Sequence, residues 1–210
     1  MARRLPVYLL IDTTGSMKGE PIESARIGIE AMLNTLRQDP YALESVYISI
    51  ITYDTKVNQL LPLTPLEELQ MPEITTKDSG STHLDAALEM LLDKVEKEVI
   101  KCTNERAGDR APKLFIFTDG QNTDDTPCNQ LISRVKSSLL ETIVCYIVGQ
   151  KPKTDYLTLL TNDVYRIDNL YNTNLMKFFT WKTGFPGEYG LTTRTDEFIL
   201  PPPPDDVIVI

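Results

Sequence analysis

The sequence is 210 residues long, 41% apolar and 24% charged, with a net charge of −9. This length suits one domain with an appendage, and the apolar fraction is enough to fill a packed core. The excess of acidic residues argues against nucleic acid as the main ligand, because no basic run would neutralise a row of phosphates. No apolar run approaches the roughly 20 residues that span a bilayer, so no membrane association is expected.

The first residues do not have the pattern of a signal peptide. Pro6 interrupts the apolar run and Asp12 ends it, with no small-residue cleavage site. The three cysteines, Cys102, Cys128 and Cys145, are an odd number without C-x-x-C spacing. Such cysteines indicate neither a disulfide framework nor a zinc site. We expect a cytoplasmic protein with reduced thiols.

The first half of the chain alternates short apolar strands with an amphipathic helix. Residues 7–11 form a continuous apolar run, as expected for a strand buried on both faces. A glycine-containing loop follows, and Pro21 favours a helix start. Residues 46–53 and 57–61 predict two further strands. The helix between residues 7–11 and 46–53 ends at Asp39-Pro40, and its apolar face consists of Ile22, Ala25, Ile29, Met32, Leu33 and Leu36.

The second half repeats this alternation. Strands are predicted at residues 113–118, 142–148 and 164–167, and short helices near 156–160 and 175–181. Two longer amphipathic helices are marked by Leu84, Ala87, Leu88, Leu91, Leu92, Val95 and Val99, and by Leu131, Val135, Leu139 and Leu140. The pattern predicts a doubly wound α/β fold, in which helices cover both faces of a mostly parallel sheet.

Ligands of such folds bind beyond the carboxyl ends of the strands. In this sequence those ends lead into Asp12-Thr13-Thr14-Gly15-Ser16 and Thr118-Asp119-Gly120. Thr82 lies between them, at the head of a predicted helix. Asp12, Thr14 and Ser16 alternate, so that a looped chain can aim all three side chains at one point. Hydroxyl and carboxylate oxygens are the ligands of a hard cation such as Mg²⁺.

Asp12-x-Thr14-x-Ser16, together with Thr82 and Asp119, resembles the metal-ion-dependent adhesion site of von Willebrand factor A domains. The resemblance covers nearly all of residues 5–182. It implies a Rossmann-like three-layer sandwich with one antiparallel edge strand. It also implies that Thr14 and Ser16 touch the ion, that Thr82 does so directly or through water, and that Asp12 and Asp119 act largely through water. The implied ion is Mg²⁺, with Mn²⁺ or Ca²⁺ as alternatives.

The resemblance implies a binding role and no catalytic residues. A metal held mainly by neutral hydroxyls and water keeps much of its charge, so it can accept an Asp or Glu from a partner protein. One position departs from the family pattern, which has Ser where this chain has Thr14. Threonine keeps the hydroxyl but adds a methyl and stiffens χ1, which shifts the geometry or affinity of the site.

Three stretches resemble the TerY-type proteins of bacterial tellurium-resistance and stress clusters more narrowly. They are Leu5-Pro6-Val7-Tyr8-Leu9-Leu10-Ile11-Asp12, Gly19-Glu20-Pro21-Ile22 and Leu36-Arg37-Gln38-Asp39-Pro40-Tyr41-Ala42-Leu43-Glu44. Related members occur beside protein kinases and phosphatases. The resemblance therefore implies a bacterial stress-response role, with a kinase or phosphatase as the first partner to test.

Simpler structural roles exist for several of these residues. Asp12 and Asp119 can end strands and turn the chain, and Thr82 can cap a helix with Asp85. Asp54 also ends a strand near the same edge, where it can support the site or simply form a turn. His83, the single histidine, is expected at the rim, and no second ligand at zinc spacing accompanies it.

Two alternative functions remain. The first is a scaffold with a vestigial metal site that binds through its tail. The second is a metal-dependent, phosphatase-like hydrolase, but a haloacid-dehalogenase-like enzyme requires an Asp at position 14. Ser16 is not in a G-x-S-x-G elbow, and neither a G-x-G-x-x-G nor a P-loop motif is present. The sequence thus favours a non-enzymatic binding module.

The last part of the chain differs from the rest. We predict a von Willebrand factor A domain over residues 1–185 and an acidic, proline-rich tail over residues 186–210, where one arginine faces five carboxylates. A disordered tail is one expectation. However, residues 198–200 and 207–210 are apolar, so they are also candidates to pack on the chain's own sheet edge or to add a strand to a partner.

Overall fold

The computed structural model describes residues 3–78, 82–104, 107–121, 129–148, 155–167 and 207–209. The strands are β1 (Leu5–Asp12), β2 (Val46–Tyr53), β3 (Val57–Pro65), β4 (Lys113–Thr118), β5 (Thr142–Val148), β6 (Val164–Ile167) and β7 (Val207–Val209). The helices are α1 (Glu20–Gln38), α2 (Pro40–Ser45), α3 (Leu84–Glu98), α4 (Asn129–Lys136) and α5 (Asp155–Leu160). The predicted helix near residues 175–181 and the predicted domain boundary at residue 185 lie outside the described residues.

All seven strands form one sheet in the order β3-β2-β1-β4-β5-β6-β7. The five strands from β2 to β6 in that order pair in parallel. At one edge β3 pairs antiparallel with β2, which confirms the predicted mostly parallel sheet with an antiparallel edge strand. At the other edge β7 pairs antiparallel with β6, so part of the predicted tail adds a strand to the sheet.

Strand β1 lies at the centre and is buried along its whole length. Its side chains alternate between two apolar clusters, one on each face of the sheet. Leu9 and Ile11 pack in the cluster that contains α1, whereas Tyr8 and Leu10 pack in the cluster that contains α3 and α4. This alternation follows from the two-residue period of a strand, and it explains the unbroken apolar run in the sequence.

The chain separates α1 from α2 at Asp39. The Asp39 carboxylate accepts hydrogen bonds from the backbone N–H groups of Tyr41 (2.8 Å) and Ala42 (3.2 Å). Pro40 occupies the first helical position, where its missing N–H costs nothing. The sequence had indicated only a helix end at Asp39-Pro40, but this residue also begins a short new helix that leads into β2.

Edge strand β3 is longer than the predicted residues 57–61 and contains Pro62 and ends at Pro65. Prolines are tolerated on an edge strand because some of its N–H groups have no neighbouring strand to pair with. Over residues 57–62 of β3, exposed residues alternate with half-buried ones, as expected for a strand with one face toward solvent.

Candidate metal centre

Asp12 is the last residue of β1 and lies beside the end of β4. The parallel register pairs Ile11 with Phe117, which brings Asp12 next to Thr118 at the carboxyl edge of the sheet. The Thr118 hydroxyl donates a hydrogen bond of 2.8 Å to Oδ2 of Asp12. Both side chains are buried. The topology of the sheet therefore places the two strand ends in direct contact.

The loop after β1 folds back on the Asp12 carboxylate. Oδ1 of Asp12 accepts hydrogen bonds from the backbone N–H of Thr14 (2.9 Å) and from its hydroxyl (2.6 Å). The Thr14 hydroxyl lies 3.2 Å from the hydroxyl of Ser16, which is exposed. A 3-10 turn over Gly15–Met17 holds this geometry, anchored by the buried side chain of Met17.

The loop after β4 carries Asp119 and contacts Thr82. Gly120, at φ 73°, donates its N–H to the Thr118 hydroxyl (3.0 Å), in a left-handed conformation that favours glycine. The backbone N–H of Gln121 then donates to Oδ1 of Asp119 (2.9 Å). The Thr82 hydroxyl donates to the carbonyl of Gln121 (3.2 Å). Thr82 lies two residues before α3, so it is not the N-cap of that helix, a position that His83 occupies.

The structure thus brings all five predicted site residues to one edge of the sheet. Asp12, Thr14 and Ser16 contact one another, and Thr82 and Asp119 are linked through Gln121. The two groups also interact, because the charge of Asp119 acts on Asp12. Thr118 was not among the predicted site residues, although a hydroxyl residue at the end of the strand that precedes Asp119 is a signal in the sequence.

Asp54 supports this site from behind. Its Oδ2 accepts a hydrogen bond from the hydroxyl of Thr13 (3.1 Å), and its Oδ1 accepts from the Lys77 ammonium (2.8 Å). The backbone N–H of Lys77 also donates to the carbonyl of Thr13 (3.2 Å). Of the two roles predicted for Asp54, support of the site is therefore visible in the contacts. A turn role is present as well, since Oδ1 accepts from the N–H of Lys56 (2.9 Å).

The pKa values of the two carboxylates Asp12 and Asp54 are shifted in opposite directions. Burial raises the pKa of Asp12 to about 6, against the hydrogen bonds from Thr14 and Thr118, and the nearby charge of Asp119 raises it further. Burial also raises the pKa of Asp54, but the hydrogen bonds from Lys77 and its other donors outweigh this and leave the pKa below its usual value. Of these two carboxylates, Asp54 has a lysine partner, whereas Asp12 has no ion-pair partner among the described residues.

The residues present fit a hard divalent cation. Among the described residues, no ion pair neutralises Asp12 or Asp119. The Thr14 hydroxyl donates its proton to Asp12, so Ser16 is the donor in the hydrogen bond between Thr14 and Ser16, and Thr14 keeps one lone pair for another group. Within the same parts of the chain, no three His, Cys, Asp or Glu side chains cluster as a metal site. Two carboxylates among hydroxyls match an ion such as Mg²⁺, which retains several waters.

Similar folds occur in solved structures of low sequence identity. Proximal thread matrix protein 1 from the mussel byssus has a TM-score of 0.60 and 12% identity, over 85% of this chain and 46% of that chain. A von Willebrand factor type A protein from Catenulispora acidiphila has a TM-score of 0.60 and 14% identity, over 87% and 42%. This chain therefore spans less than half the length of either protein.

A shorter structural relative matches over nearly its whole length. BatB from Bacteroides thetaiotaomicron has a TM-score of 0.57 and 13% identity, over 86% of this chain and 97% of that chain. A further structure of the mussel protein, at a TM-score of 0.56 and 13% identity over 84% and 44%, is described as having a zinc-occupied MIDAS motif, the metal-ion-dependent adhesion site. These likenesses establish the fold.

The comparison with curated proteins finds no match. None of the helices in the described ranges is both long enough and apolar enough to cross a membrane. The family model of the von Willebrand factor type A domain matches residues 7–176, which include all of the parallel strands except the first two residues of β1. The chain therefore belongs to the von Willebrand factor type A domain family.

Proposed function

We propose that this domain is a metal-dependent protein-binding module. In this proposal Thr14, Ser16 and Thr82, with Asp12 and Asp119 acting largely through water, hold a divalent cation, and an Asp or Glu of a partner protein completes the site. Domains of this family are commonly metal-dependent interaction modules without enzymatic activity. The proposal assigns no catalytic residue to the chain.

The observation that carries the proposal is a pair of uncompensated carboxylates among oriented hydroxyls. Asp12 and Asp119 are buried, and the negative charge of Asp119 contributes to the raised pKa of Asp12. Burying charges in this way is costly unless an opposite charge is supplied. A cation from solution would remove this cost, and no side chain of the described residues does so.

In this proposal, some residues of the chain position the Asp12 carboxylate and others bind the ion. Thr118 and the Thr14 backbone N–H hold the Asp12 carboxylate by its two oxygens. Asp12 in turn accepts the Thr14 proton, so that the remaining Thr14 lone pair can face an ion. Ser16 is the exposed member of the set, and it therefore marks the side from which a partner approaches. When bound, a divalent cation held by few charged groups supplies a strong site for a partner carboxylate.

Mg²⁺ is the first ion to test, with Mn²⁺ and Ca²⁺ as alternatives. The ligand set consists of oxygen atoms with two carboxylates, which suits Mg²⁺ with retained waters. Zinc belongs in the same experiment, because the mussel structure is described with a zinc-occupied motif. A preference among these ions is a direct readout of how Thr14 shapes the site.

For the cellular role, the resemblance to TerY-type proteins supports a bacterial tellurite or stress response in the cytoplasm. A protein kinase or phosphatase is then the first partner to test. This assignment rests on three stretches of sequence, and no side chain of the metal centre encodes it.

The test compares Ser16→Ala with Ser133→Ala. Ser16 is exposed, and its one hydrogen bond recorded in the described structure is to Thr14, so its loss should leave the fold intact. Ser133, an exposed serine of α4, controls for the loss of a hydroxyl. Calorimetric titration with MgCl₂, MnCl₂, CaCl₂ and ZnCl₂ should show one bound ion for the parent domain and Ser133→Ala, and weaker binding for Ser16→Ala. Absence of binding by the parent domain at millimolar concentrations of all four ions would leave the scaffold alternative.

A pull-down from a cell lysate, with Mg²⁺ or with EDTA, tests the partner half of the proposal. We expect Mg²⁺-dependent capture that Ser16→Ala abolishes and Ser133→Ala preserves. Equal capture in EDTA would point to binding through another surface, such as the tail. Turnover of a phosphate ester or of ATP by the pure domain would support the hydrolase alternative instead.

A further inference from the structure

We propose that Lys18 is a second docking point beside the metal centre, and that it selects partners carrying two acidic residues. This inference rests on the proposed function. One acid of the partner would reach the metal, and the other would replace Asp78 as the ion-pair partner of Lys18. The relevant observation is the ion pair between Lys18 and Asp78.

The Lys18–Asp78 pair joins the two segments that lead to Ser16 and Thr82. Lys18 closes the 3-10 turn that holds Ser16, because its backbone N–H donates to the carbonyl of Gly15 (3.2 Å). Asp78 follows Lys77, whose backbone N–H donates to the Thr13 carbonyl. The pair therefore belongs to two segments at the rim of the candidate metal centre, one of which carries Ser16 two residues before Lys18.

The pair is exposed enough to be exchanged. The Lys18 side chain is 63% exposed and the Asp78 side chain is 86% exposed. Ion pairs of this kind contribute little to stability, so replacing Asp78 by another carboxylate costs little. In contrast, Lys77 contacts an Asp54 side chain that is only 6% exposed and that also holds Thr13. Lys77 is thus committed to the site, whereas Lys18 is available to a partner.

The negative net charge of the chain makes Lys18 important for attracting an acidic partner. At a net charge of −9, the domain repels an acidic partner at long range. The metal and Lys18 would be neighbouring positive charges on an otherwise acidic molecule. A partner with two suitably spaced acids would use both, and a partner with a single acid would use only the metal. Asp78 competes with the second acid and lowers its affinity.

The probes for the test are blocked synthetic peptides with one or two aspartates. One peptide carries a single Asp flanked by glycines, and the others carry two Asp residues separated by zero to four glycines. Binding to the full chain in saturating MgCl₂ is followed by NMR titration. We expect at least one spacing to bind about threefold more tightly than the single-Asp peptide, as a surface ion pair allows.

Two variants then distinguish docking from a structural role. Lys18→Gln and Asp78→Asn both break the same ion pair, so a purely structural role predicts changes of the same sign. Our proposal predicts opposite signs. Lys18→Gln should abolish the preference for two acids, whereas Asp78→Asn should increase affinity for the two-Asp peptide about twofold. The matched controls Lys97→Gln and Asp93→Asn break an exposed ion pair of α3 and should change neither affinity.

The outcomes separate this inference from the proposed function. If single-Asp and two-Asp peptides bind equally at every spacing, or if both variants shift affinity in the same direction, Lys18 is not a docking point. If no peptide binds and the domain takes up no metal, the proposed function itself fails. A two-acid preference that disappears in Lys18→Gln and grows in Asp78→Asn supports both.

Discussion

The two ends of the sheet hold buried aspartates in different electrostatic states. At the amino end of the parallel strands, the Asp109 carboxylate accepts hydrogen bonds from Nε (2.9 Å) and Nη2 (2.7 Å) of Arg4 and from the backbone N–H of Ile100 (2.8 Å). The same guanidinium lies 4.7 Å from the ring centre of Tyr47. At the carboxyl end, the described residues that donate hydrogen bonds to Asp12 are Thr14 and Thr118, and both are neutral.

This difference separates a structural charge from a functional one. The Arg4–Asp109 pair joins the start of β1 to the segment before β4 and is complete within the chain. Asp12 joins the same two strands at their other ends, but its charge has no counterpart among the described residues. Both carboxylates fix the register of β1 and β4. In our proposal a cation from solution completes the Asp12 end, which is why we place the binding site there.

The largest expected effect on stability follows from removing the Arg4–Asp109 ion pair. Asp109→Asn should lower the free energy of unfolding by about 2 to 4 kcal/mol, because it leaves a mostly buried guanidinium without its partner. Metal affinity should be unchanged. Urea denaturation and Mg²⁺ titration measure the two quantities, with Asp93→Asn as the exposed control. A loss of metal affinity without a loss of stability would reverse the roles that we assign to the two ends.

Replacing Asp12 should instead affect metal binding more than stability. Asp12→Asn should weaken metal binding about 10- to 100-fold, the usual cost of losing a carboxylate that orients a metal site. Without metal, its stability should change much less than that of Asp109→Asn, because the buried charge is costly there. Calorimetry and denaturation in EDTA test this. Strong destabilisation in EDTA, with intact metal affinity, would make Asp12 a structural residue like Asp109.

The pH dependence of metal binding sharpens the same contrast. Since burial raises the pKa of Asp12 to about 6, a proton competes with the metal, and affinity should fall about tenfold from pH 7 to pH 5. In EDTA, the contribution of Asp12 to stability should decrease as the pH rises from about 4 to 6, because the folded pKa lies above the ordinary 3.8. Asp12→Asn should remove both dependences. Calorimetry across this range, with the variant as control, measures them.

The smallest effect is expected at the position that departs from the family pattern. Thr14→Ser should keep metal affinity within about threefold, since the hydroxyl remains, and should cost roughly 1 kcal/mol of stability for the lost buried methyl. Thr14→Val keeps the shape and removes the hydroxyl, so it should weaken metal binding much more. If Thr14→Ser instead increased affinity strongly, the threonine methyl would be what weakens the site.

The fold was predictable because its main signals are local. The continuous apolar run before Asp12 and the three- and four-residue spacing in α1 and α3 correspond to elements at the expected positions. The five predicted site residues also lie at one edge, because a doubly wound topology gathers strand ends. The family resemblance linked Thr82 and Asp119 to the motif at residues 12–16, which a D-x-T-x-S match by itself does not do.

What the sequence did not predict depends on contacts between distant segments. The role of Thr118 requires that β1 and β4 be neighbours, which only the topology decides. Helix α2 begins after Asp39 because that residue caps it. In the sequence, Asp39-Pro40 indicates only the end of the preceding helix. The pairing of β7 with β6 joins residues about forty positions apart, and both a disordered tail and a docked strand were consistent with the composition.

The prolines of β3 have a consequence for self-association. An open edge strand invites pairing with a second molecule, and repeated pairing leads to aggregation. Pro62 and Pro65 have no N–H to donate, so a second strand along β3 would meet an interrupted row of donors. The β3 edge is therefore a poor template for repeated strand pairing between molecules.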